Sequence, residues 1–104
     1  MNGDRMIRHT VVFTLMHPAG SEEEAGFLET GRRVLTGVPG VEDFTIARQV
    51  SSQSQFAFQF SMHFRDQAEY DAYSAHEDHV QFVETRWKKE VTAFSEFDFE
   101  PYDA

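Results

Sequence analysis

The sequence predicts an α+β fold of element order β-α-β-β-α-β: an antiparallel four-stranded sheet with both helices on one face. Three observations lead to it. Two segments open on a capping pair and continue at helical spacing, four segments alternate with period two, and turn residues separate them. The order is the ferredoxin-like split arrangement. At 104 residues the chain makes one domain, 1–104, with residues 1–5 expected to be a flexible tail.

Met6 to Met16 reads as the first strand: Ile7, His9, Val11, Phe13 and Leu15 share one face, with Arg8, Thr10 and Thr14 on the other. Ser21 and Glu24 form a capping box, and acids at 22–24 suit the positive end of a helix dipole. Ala25, Leu28, Val34, Leu35 and Val38 follow as the expected apolar stripe, until Gly37, Pro39 and Gly40 stop the helix. Val41 to Val50 is a second strand with Phe44, Ile46 and Val50 on one side, and the polar SSQS after it is a turn. The stretch QFAFQFSMHF alternates most clearly, setting Phe56, Phe58, Phe60, Met62 and Phe64 against Gln59, Ser61 and His63. Asp66 and Glu69 then cap a helical region ending near Lys89, with Tyr73, His76, Val80, Val83, Trp87 and Val91 as its stripe. From about Ala93 alternation returns, Ser95, Phe97 and Phe99 against Glu96, Asp98 and Glu100, until Pro101 ends the strand.

Helices on one face leave the other open, and that face holds Met6, Val12 and Met16 among polar residues. The simplest cover is the same face of a second copy, so a two-fold homodimer whose two sheets close into a barrel is expected. A monomer with one wet sheet face is the alternative.

Eighteen acidic against nine basic side chains give a formal charge of −9. Such a field repels phosphate backbones and anionic membrane surfaces, so nucleic acid and membrane partners are not expected. There is no cysteine, which removes disulfides, thiolate nucleophiles and Cys-type zinc sites. No apolar run approaches a membrane span, and the opening residues lack the apolar core of an export signal, so the cytoplasm is the expected compartment. Eleven phenylalanines suit both a core and the wall of a pocket for an apolar or aromatic small molecule, and no cofactor motif is present.

The chemistry-bearing stretch is YDAYSAHEDHVQF, residues 70–82. His76 and His79 have two residues between them rather than three, so this is not a metalloprotease helix, and no metal is expected. His76 lies on the apolar stripe, where a backbone carbonyl or carboxylate would hold it. His79 lies on its flank, where an imidazole can meet both ligand and water as a general base must. His9, between Ile7 and Val11, is either a satisfied core histidine or a polar group entering a pocket under the second helix.

IRHTVVFTL, VPGVEDF and YSAHEDHVQF leading to Trp87 together resemble the stress-responsive dimeric α/β-barrel (Dabb) family, over Ile7 to Tyr102. In the last motif Glu77 replaces the family's proline. The resemblance implies a homodimer and, for most members, no established activity. Its characterised enzymes are a cofactor-free plant polyketide cyclase and a hydroxynitrile lyase. By likeness to the cyclase, His79 would be the base, Tyr73 its assistant, and His9 the matching first-strand histidine. The cyclase's first-helix tyrosine and third-strand histidine are here Gly31 and Phe58. The pocket implied draws on His9, His76, Phe13, Phe56, Phe58, Phe60 and Trp87. Two readings follow. One is a Dabb-type protein with an aromatic small-molecule pocket; the other is a cofactor-independent cyclase or lyase using His79 and Tyr73 on a polyketide-like or carbonyl substrate.

Overall fold

The computed structural model describes residues 5–103. The elements are β1 (Ile7–Leu15), α1 (Glu22–Thr36), β2 (Glu42–Arg48), β3 (Phe58–Phe64), α2 (Gln67–Ala75), α3 (Glu77–Phe82), a π-helical turn (Val83–Trp87), α4 (Lys88–Glu90) and β4 (Val91–Phe99). The strands make one antiparallel sheet in the order β2-β3-β1-β4. This is the β-α-β-β-α-β fold expected, with its second helical region in pieces. Of the expected tail, residues 1–4 lie outside the described residues, while Arg5 donates to the Pro101 carbonyl at 3.4 Å.

Register sets the layers. Ile7, His9, Val11 and Phe13 of β1 stand opposite Phe64, Met62, Phe60 and Phe58 of β3, and all eight are buried. These inward residues meet α1 and the α2–α4 region. α1 begins as its sequence specifies: Ser21 accepts the Glu24 N–H at 3.2 Å, and the Glu24 carboxylate reaches back to the Gly20 N–H at 2.9 Å. That reach buries Glu24 and turns the helix from the expected stripe. The inward line is Glu24, Phe27, Gly31, Leu35 and, beyond the helix, Val38; Ala25 is exposed, and Leu28 and Val34 are half-buried.

β2 is shorter than expected. Asp43 takes a left-handed φ of 52°, the register with β3 shifts between Glu42 and Thr45, and Val50 lies 88 % exposed in the following loop. Phe44 and Ile46 pack on the core from this edge strand. β3 likewise starts at Phe58, so Phe56 is a half-buried residue of the approach and not a core position.

The second helical region departs most from a single stripe. Val80 is exposed and Phe82 is buried in its place. Two interruptions reset the phase: an extended backbone at His76, and the π-turn at 83–87, which adds a residue to one turn. Below the π-turn, Glu90 gathers His17 at 2.7 Å and Arg86 in a two-point ion pair, tying this region to the end of β1.

On β4 the apolar alternation faces outward. Phe97 and Phe99 lie opposite Thr10 and Arg8 on the open sheet face, whereas Phe94, Glu96 and Asp98 lie opposite Phe13, Val11 and His9 on the helix side. Among the described residues no helix is long and apolar enough to cross a membrane.

Candidate functional site

A cavity of about 340 Å³ opens between the sheet and the second helical region. Its walls are mainly apolar, with Leu35, Phe60, Met62, Phe82 and Trp87 prominent, and His9, Tyr73, His79, Lys88 and Glu96 add polar groups.

The break at His76 builds the polar end. Its backbone is extended (ψ 139°), and its Nδ1 accepts the Asp78 N–H at 3.0 Å, capping the start of α3. This joint turns Tyr73, near the end of α2, and His79, in the first turn of α3, toward each other, with ring centroids 4.4 Å apart. A proline at position 77 is not needed for the bend: a capping histidine and extended backbone produce it with Glu77. The Nδ1 of His79 donates to the Ser74 carbonyl at 3.1 Å, so its Nε2 carries the lone pair. Burial holds the ring below the ordinary imidazole value of 6.5, only partly offset by that hydrogen bond. Burial, reinforced by the Glu96 charge, pushes the Tyr73 hydroxyl well above its ordinary range and keeps it a donor.

His9 enters from β1. Its cross-strand neighbour is Asp98, whose carboxylate lies 2.7 Å from His9 Nδ1. Tyr70 donates its hydroxyl to the same carboxylate at 3.0 Å and lies 3.1 Å from that nitrogen. Burial, with the Asp98 hydrogen bond, raises the Tyr70 hydroxyl above its usual range, so it too stays protonated. Asp98 and Tyr70 therefore orient His9 and leave its Nε2 for the cavity.

Among the described residues, the Tyr73 hydroxyl and the Nε2 atoms of His9 and His79 make no hydrogen bond, and no fully enclosed side-chain nitrogen or oxygen lacks a partner. These three atoms are consequently open to the cavity. An apolar chamber with three unengaged polar atoms at one end is organised to hold a molecule of complementary polarity.

The residues expected at the site divide. His9, Tyr73, His79, Phe60 and Trp87 line the cavity. Phe13 and Phe58 do not: both are buried in the core, Phe13 among Phe27, Phe58, Phe60 and Trp87. Phe56 sits on the approach to β3, and His76 supports the joint. Asp98, Tyr70 and Glu96 were missed. For Asp98 and Glu96 the signal is the parity of β4, but only the β1–β4 register shows which parity faces inward; Tyr70 stands in α2 one turn before Tyr73. Among the described residues no group of three or more His, Asp or Glu side chains is arranged to hold a metal ion.

The model of the stress responsive A/B barrel domain (Dabb) matches residues 7–101. The chain belongs to the Dabb family. A Dabb-family crystal structure with a ferredoxin-like fold, from Mesorhizobium loti, is 48% identical, with a TM-score of 0.92 over 93% of this chain and 97% of that one. A dimeric ferredoxin-like protein of unknown function from Thermobifida fusca is 12% identical, with a TM-score of 0.77 over 93% of this chain and 92% of its own. The hydroxynitrile lyase of Passiflora edulis is 8% identical, with a TM-score of 0.82 over 97% of each chain. At such identities the last two share the fold alone. No curated protein matches the chain.

Proposed function

We propose that this Dabb protein is a homodimer that binds a small ring-bearing molecule in its cavity and transfers a proton there, in the manner of a cofactor-independent cyclase or lyase. One observation supports this reading above the rest: a buried tyrosine hydroxyl and a neutral imidazole nitrogen, adjacent and both unengaged, face an apolar chamber. The Nε2 of His79 takes a proton from a carbon next to a carbonyl, and the electron pair moves onto the carbonyl oxygen. The Tyr73 hydroxyl donates to that developing oxyanion. Ring closure or bond cleavage then consumes the enolate, and His79 returns the proton.

A pure binding role is the second reading. It is favoured by Gly31, where a Cβ would stand only 2.8 Å from the Phe60 ring, so apolar rings fill the space beneath the first helix. The experiment that separates them needs no natural substrate. Exchange of the methyl hydrogens of 2-acetylnaphthalene for deuterium, followed by NMR, is expected to run faster with the protein than with buffer and to lose that gain in His79→Ala and Tyr73→Phe. Binding without accelerated exchange would leave only the binding role.

A further inference from the structure

The polar end of the cavity carries a charge asymmetry that the family's fold does not dictate. Glu96 stands on the helix side of β4 and lines the cavity. Among the described residues it makes no ion pair and no side-chain hydrogen bond, unlike Asp98, which His9 and Tyr70 occupy. The one cation on the lining, Lys88, is engaged by Glu84 at 2.7 Å. The cavity therefore meets its contents with an uncompensated carboxylate. Facing the same space are two imidazole nitrogens, of which that of His79 accepts, and one tyrosine hydroxyl. Resting on the small-molecule reading above, we propose that the site selects an uncharged ring compound bearing a hydroxyl group and rejects the carboxylate analogue of the same shape.

The physical reason is selectivity by repulsion. Glu96 is itself exposed, so water screens part of its charge, but an anionic ligand entering the apolar chamber gives up its own hydration and meets a like charge with no free cation to offset it. A hydroxyl keeps its ring in the apolar part, donates to the His79 Nε2 and can accept from Tyr73. The field of Glu96 is felt across the site, since it raises the hydroxyls of Tyr70 and Tyr73 and opposes the burial effect on His79.

Trp87 is the only tryptophan in the chain and lines the cavity, so quenching of its fluorescence reports occupation of this site. Three probes of one shape, 1-naphthol, 1-naphthoate and naphthalene, are titrated into the full chain at pH 7. Naphthol is expected to bind at least about tenfold more tightly than naphthoate, the scale of one partly screened like-charge pair together with the lost hydration of the anion, and more tightly than naphthalene. Glu96→Gln, with folding checked by its melting curve, is expected to narrow the naphthol–naphthoate gap by about threefold or more. Naphthoate binding as well as naphthol would overturn the charge selection, and an unchanged gap in Glu96→Gln would remove Glu96 as its cause. Naphthalene equal to naphthol would overturn the role of the hydroxyl. If no probe quenches Trp87, the small-molecule reading falls together with this one.

Discussion

His76 and His79 sit three residues apart in one motif and do different work. His76 spends its Nδ1 on the Asp78 N–H and holds a joint; His79 spends its Nδ1 on the Ser74 carbonyl and keeps Nε2 free. Replacing His76 with alanine is expected to lower stability by about 0.5–2 kcal/mol, the range for losing an N-cap, and thermal melting measures it. His79→Ala should fold with nearly the same midpoint and lose naphthol binding and proton exchange; a reversed pattern would exchange the two roles. The pH dependence follows from the same ring. Because burial holds folded His79 below 6.5, the unfolded chain takes up the proton first, so stability is flat above about pH 6.5 and falls as pH drops through the window below it. Glu90 adds a second stage. Its hydrogen bond from Arg86 holds it below the ordinary 4.5, so its contribution is complete above that value and lost as pH falls through its folded value. Urea unfolding against pH should show both stages, and His79→Ala should remove the upper one. At this scale His9 and His79 stand out in the sequence as imidazoles on or beside an apolar face, and Tyr73 through the resemblance to the cyclase. Asp98 was not readable, because its role needs a neighbour 89 residues away.

Elements were legible where one local rule acts alone. Ser21 and Asp66 cap their helices as their spacing with Glu24 and Glu69 implies. Period two identified the β3 core, although the strand begins two residues after Phe56. Legibility failed where tertiary contacts change the phase. Val80 fits an unbroken helical stripe, but the His76 joint and the π-turn hand the inward place to Phe82. Phe27 falls outside the expected α1 stripe, yet with the helix turned by the buried Glu24 it is fully buried and packs among the rings of Phe13, Phe60, Phe82 and Trp87. Close approach of α1 to β3 depends on Gly31, where an added Cβ meets Phe60 at 2.8 Å and Phe82 at 3.4 Å. Phe60 is hemmed in by Phe13, Phe44 and Trp87, and its free direction is the cavity it lines. Gly31→Ala should therefore cost about 1–3 kcal/mol, as overpacking does, and shrink the cavity. Calorimetric melting and weaker naphthol quenching would show it; an unchanged melt and affinity would mean that the α1–sheet spacing relaxes freely.

At the scale of the molecule, one face of the sheet is covered and the other bare. The bare face shows Met6, Met16, Phe97 and Phe99, each between 43% and 61% exposed. The sequence pointed to this face through Met6, Val12 and Met16; the two phenylalanines joined it only when β4 took its place beside β1. Exposed apolar residues spread over one face suit association with a like surface. Light scattering at micromolar concentration should return twice the 12.0 kDa chain mass, and Phe97→Glu should shift it toward the single chain. A Phe97→Glu protein that keeps the doubled mass would place the contact elsewhere.

β1 runs through the centre of both surfaces. Its odd-numbered residues supply His9 and the cavity wall, and its even-numbered residues supply Arg8, Thr10 and Val12 to the bare face. Side chains alternate strictly, so one strand writes two messages in one reading frame. A substitution edits one message and spares the other. Loss or gain of a single residue between Arg8 and Phe13 garbles both, turning Arg8 and Thr10 toward the chamber and His9 away from Asp98. This strand can therefore vary letter by letter under two separate pressures, while its length is held by both.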